Sequence, residues 1–69
     1  MTEIVFLVED DPEGGYSARA LGVSIFTEAD DLPALRKNVL DAVRCHYPAE
    51  EGGPKVVRLH HVRDEVLAL

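Results

Sequence analysis

Five consecutive apolar residues near the start of the chain, Ile4-Val5-Phe6-Leu7-Val8, limit what it can fold into more than any other feature. Their β-branched and aromatic types favour a strand, in which successive side chains point to opposite faces. Ile4, Phe6 and Val8 then face one side of a sheet and Val5 and Leu7 the other, so both faces ask for cover. The chain has only 69 residues, a length at which a single hydrophobic core is marginally adequate and a second domain has no room. Two covers must come from very little material.

The remaining pattern supplies one of them. Glu9-Asp10-Asp11-Pro12-Glu13-Gly14-Gly15 is a cluster of turn formers and predicts a hairpin loop. Tyr16 to Ala20 reads as a second strand, Leu21-Gly22 interrupts it, and strand chemistry resumes over Val23 to Thr27. Asp30 or Asp31 can cap a helix start, where Pro33 is tolerated because the first turn's N–H groups have no partner within the helix. Leu32, Leu35, Val39, Ala42, Val43 and His46 or Tyr47 then recur at helical spacing on one face, and Pro48 ends the run. Residues 49–54 form a connection, Lys55 to Val62 predicts a fourth strand, and Val66 to Leu69 an apolar tail.

The order β-β-β-α-β predicts an α+β sandwich of two layers, one domain over residues 1–69, with the helix on one face of the sheet. One helix covers one face. A second copy on the open face, or a strand added to a sheet edge, meets the remaining demand. A homodimer or higher oligomer follows, with Val5, Leu7, Val62, Val66, Leu67 and Leu69 as its candidate interface. The single Cys45 cannot close an intramolecular disulfide and there is no CxxC knuckle, so association is the staple left to a chain this small.

Composition excludes several classes. At 46% apolar and 29% charged the chain is globular rather than disordered. No apolar run approaches the roughly 20 residues of a membrane-spanning helix, and the N-terminus lacks the features of a secretory signal, which reads as a cytosolic protein. A net charge of −6 argues against binding a nucleic-acid backbone. The acids are concentrated in residues 1–31, where eight of them oppose Arg19 alone. That excess suits a basic partner or plain solubility.

Several short motifs resemble those of a known family. The apolar first strand, the acidic loop Asp10-Asp11-Pro12-Glu13-Gly14-Gly15-Tyr16, the step Leu21-Gly22-Val23, the helix opening Ala29-Asp30-Asp31-Leu32 and the later Asp41-Ala42-Val43 together resemble the N-terminal domain of HicB-type antitoxins. The likeness is to the short, solitary HicB-like proteins above all, and it spans roughly residues 3–47. It implies a partial ribonuclease-H-like fold, with the last strand beside the first and parallel to it. It also implies a non-enzymatic role in a toxin–antitoxin system: binding and neutralising a small basic, mRNA-cleaving HicA-like toxin. Glu9, Asp10, Asp11, Glu13 and Glu28 are the candidate partner-binding residues. With the chain stopping at Leu69, no C-terminal DNA-binding segment and no direct DNA binding are expected.

Catalytic and cofactor readings weigh less than ordinary ones. Glu9, Asp10, Asp11 and Glu28 could hold two Mg²⁺ ions for phosphodiester hydrolysis, but carboxylates clustered in a turn are usually solvated surface. His60 and His61 point to opposite faces of a strand, so a zinc site would need one of them to meet Cys45 or His46. The alternative function, a small-ligand or metal-binding regulator with its site between subunits, centres on His46, His60 and His61. Cys45 near a helix C-terminus is a poor thiolate and reads as a small buried hydrophobe. Arg36, Lys37 and Arg44 read as solvated surface, with Lys37 and Asp41 spaced as an i,i+4 pair. Gly14-Gly15 and Gly52-Gly53 lack the spacing of a phosphate-binding loop and read as turns. No catalytic residue, resident metal or cofactor is expected.

Overall fold

A computed structural model describes residues 2–48 and 52–69. The elements run β1 (Glu3–Asp10), β2 (Tyr16–Ala20), β3 (Phe26–Ala29), α1 (Leu32–His46) and β4 (Val56–Val62). One four-stranded sheet has the order β3-β2-β1-β4, with β1 antiparallel to β2, β2 antiparallel to β3 and β4 parallel to β1. The first strand is thus central, and the fold is α+β with the helix as a second layer.

Alternation in β1 decides where the core lies. Phe6 stands opposite Ala20 on one side and Leu59 on the other, so Ile4, Phe6 and Val8 share a face with Ala18, Ala20, Val57 and Leu59. Leu35, Val39 and Val43 of α1 are buried against that face, and Phe6 and Leu35 are fully enclosed. The two alanines of β2 leave room for the phenylalanine ring beneath the helix. No buried side-chain polar atom among the described residues lacks a partner.

The helix ends are held as their residue types require. Asp31 caps the start, its Oδ1 accepting from the Ala34 N–H at 2.8 Å, with Pro33 in the first turn. At the other end the Tyr47 N–H donates to the Val43 carbonyl at 2.8 Å before Pro48. The side-chain amide of Asn38 donates to the Glu28 carbonyl at 3.2 Å and ties the middle of the helix to β3.

Four expectations need correction. Glu9 and Asp10, read as part of the hairpin loop, extend β1 and pair with Ser17 and Tyr16. The third strand lies over Phe26–Ala29 rather than Val23 to Thr27. Val23 to Ile25 form a tight turn, in which the Ile25 N–H bonds to the Val23 carbonyl, and Ile25 is apolar because it is buried in the core. The fourth strand starts at Val56, one residue late, with the Lys55 and Val56 N–H groups both reaching the Thr2 carbonyl. Cys45 is exposed, not buried. It follows the buried Val43 by two residues, about 200° around the helix, which turns it to solvent. Ala49, Glu50 and Glu51 of the predicted connection lie outside the described residues.

Gly15 closes the β1–β2 loop with φ +85°, and a Cβ there would stand 2.7 Å from the Ala29 carbonyl oxygen. Gly15→Ala should therefore lower the urea midpoint by adding both left-handed strain and a backbone clash. Phe6→Ala should cost about 3–5 kcal/mol, most of the stability of so small a domain. Its urea transition, followed by circular dichroism, is expected to lose cooperativity.

Candidate functional site

The face of the sheet turned away from α1 carries the first candidate surface. Val5 and Leu7 of β1 stand at its centre, Leu7 opposite Arg19 of β2, and Arg19 in turn opposite Phe26 of β3. Along β4 the same face presents Val56, Arg58, His60 and Val62. Val5 and Leu7 are half-buried by these neighbours alone, and Phe26 is 62% exposed. Among the described residues no second layer covers this face. Arg58 lies against Glu3, and the hydrogen bond to that carboxylate raises its pKa above the ordinary arginine value.

The residues predicted to form an oligomer interface divide into two groups. Val5, Leu7 and Val62 share the open face. Val66, Leu67 and Leu69 lie beyond β4 in a segment with no regular secondary structure, Val66 at 92% and Leu67 at 77% exposure. Phe26 escapes a reading that ends the third strand at Thr27, because its outward side follows from pairing with Arg19.

The five predicted partner-binding acids gather at one end of the sheet but not on one face. Glu9 and Glu28 flank Ser17 on the open side and are exposed. Asp11 and Glu13 belong to the loop, where Asp11 Oδ1 accepts from the Glu13 N–H at 2.8 Å. Together with Tyr16, Glu28 and Asp30 they line a shallow hollow. Asp10 turns to the helix side and is engaged within the chain: its Oδ1 lies 3.0 Å from His61 Nε2, and its Oδ2 accepts from Arg63 Nε at 3.0 Å. The His61 hydrogen bond is the largest influence on Asp10 and lowers its pKa, partly opposed by desolvation and helped by Arg63. The Tyr16 ring meets His61 edge-on, with ring centroids 5.7 Å apart. No local spacing announces this cluster, since its members are about fifty residues apart in sequence.

Among the described residues the metal and nuclease readings find no assembled site. His46 packs edge-on against Tyr47 at the C-terminal end of α1, His60 projects from the open face, and His61 from the helix side. No group of three metal-ligating side chains forms among the described residues. The four candidate nuclease carboxylates are split between the open face, the helix side and the loop. Lys37 and Asp41 form the expected i,i+4 pair at 3.0 Å on exposed surface. No helix among the described residues is long and apolar enough to cross a membrane.

A UPF0150 protein of Thermotoga maritima is 39% identical over 67 residues, covering 97% of this chain and 93% of that relative. A second UPF0150 protein, from Archaeoglobus fulgidus, is 55% identical over 49 residues, or 71% of this chain and 70% of the relative. No family model matches the chain, and no solved structure matches it.

Because the folded pKa of Asp10 is depressed, the unfolded chain binds more protons between that value and the ordinary aspartate pKa near 3.9. The stabilisation from Asp10 is therefore complete above about pH 4 and is lost as pH falls through its folded pKa. Urea midpoints of the native chain and Asp10→Asn should differ at pH 6 and converge in strong acid; a gap independent of pH would exclude the carboxylate's charge as its source.

Proposed function

The chain belongs to the UPF0150 family, and from that premise we propose that it is a non-enzymatic interaction module of the HicB-like antitoxin type, which self-associates and binds a small basic protein in the cytosol. In this reading the fold is a partial ribonuclease-H-like one. The parallel placement of β4 beside β1, which the HicB-like resemblance implies, supports it. The partner is a HicA-like, mRNA-cleaving toxin, met by protein contacts; the chain itself contacts no DNA.

One observation carries the reading. The central strand has an apolar second face, Val5 and Leu7, with Phe26 exposed on the same face beyond Arg19, and no layer of the described chain covers it. An exposed apolar patch of this kind on a small domain marks a protein contact surface. Glu9 and Glu28 border the same face, where carboxylates would steer a basic partner toward it.

Light scattering of the purified chain at micromolar concentration should return a multiple of the monomer mass. Capture of the tagged chain from native lysate should recover a small basic protein in stoichiometric amount, lost from the double variant Glu9→Lys/Glu28→Lys. A monomer that retains nothing would contradict the proposal.

A further inference from the structure

The helix leaves one part of its own side of the sheet uncovered. Between α1 and β4 runs a groove lined by Arg36, Val39, Leu40, Val57 and Leu59, with Leu40 40% exposed. β4 is also an edge strand, so its outer backbone groups have no strand partner among the described residues. The segment that follows, Arg63-Asp64-Glu65-Val66-Leu67-Ala68-Leu69, is apolar at its end and exposed throughout. It continues away from the body. Seven strand residues and seven tail residues at roughly 3.3 Å each span about 46 Å, in keeping with a longest dimension of 54 Å against 20 and 17 Å for the others. The tail therefore leaves its own groove behind.

We propose that residues 63–69 of a second copy pair antiparallel with the free edge of β4 and cover this groove, each copy lending its tail to the other. The inference rests on the self-association proposed above and names its contact. The sheet's own alternation sets the faces. Arg63 already reaches the helix side, where it bonds to Asp10. In an extended tail Glu65, Leu67 and Leu69 fall on that same side and Val66 on the other. Two copies related by an axis normal to the sheet keep their helix sides together. Leu67 and Leu69 then meet the groove, while Val66 extends the open face beside Val62.

Direction and charge agree with that occupant. α1 runs antiparallel to β4, so a partner tail antiparallel to β4 descends alongside the helix in the same sense. Arg36 to Leu40 spans about 6 Å along the helix and Glu65 to Leu67 about 6.6 Å along a strand. When Leu67 lies over Leu40, Glu65 comes to Arg36, which forms no ion pair among the described residues. The exchange is mutual and closed, so it stops at two copies.

The full chain and three variants, Leu67→Asp/Leu69→Asp, Leu40→Asp and Leu7→Asp, should be compared by light scattering across a dilution series, with circular dichroism confirming their fold. The tail and groove substitutions lie at exposed positions, and each should weaken the dimer at least ~100-fold without loss of secondary structure. An equimolar mixture of the tail and groove variants should regain part of the association, since one intact tail meets one intact groove. Unchanged dimerisation of both variants, with loss only in Leu7→Asp, would overturn the tail exchange and leave self-association through the open face. A full chain that is monomeric throughout would overturn both.

Discussion

Everything in this fold follows from placing β1 at the centre of the sheet. Pairing with β2 on one side and β4 on the other satisfies its backbone, and the burial of Phe6 against Leu35 and Val39 anchors the single helix. A strand so placed is apolar on both faces for a physical reason: each face can be buried only by another layer. The described residues provide one layer. Val5 and Leu7 on the second face therefore keep the character of core residues while standing at the surface, and in the proposed reading a partner supplies the second layer.

The electrostatics divide the molecule in a related way. Acidic residues crowd the end of the sheet where β1 turns into β2, and Asp10 alone among the five pairs with His61 and Arg63 on the exposed surface of the helix side. That pairing joins the last residue of β1 to the first residue after β4. Glu9 and Glu28 remain at the rim of the open face.

Much of this is legible in the sequence, for identifiable reasons. The two-faced character of Ile4 to Val8 and the helical spacing from Leu35 to Val43 are strong periodic signals, and the capping by Asp31 with Pro33 fixes the helix start. The third strand is less legible. Ile25 looks like a strand residue because it is buried, yet it is buried from a turn, and a local window cannot separate burial from pairing. Cys45 misleads for the opposite reason, since cysteine's usual burial yields to its angular position on the helix. The Asp10–His61–Arg63 cluster and the α1–β4 groove depend on bringing β4 beside β1, which composition and spacing alone do not convey.

Amide hydrogen exchange on the full chain tests the proposed association most directly, in which the tail of a second copy pairs with the free edge of β4 and covers the α1–β4 groove. At concentrations where the chain is associated, the amides of residues 65–69 and of the outer edge of β4 should be protected together, and both should lose protection on dilution. Exchange of the tail at unfolded-chain rates at every concentration, with an unprotected β4 edge, would contradict it.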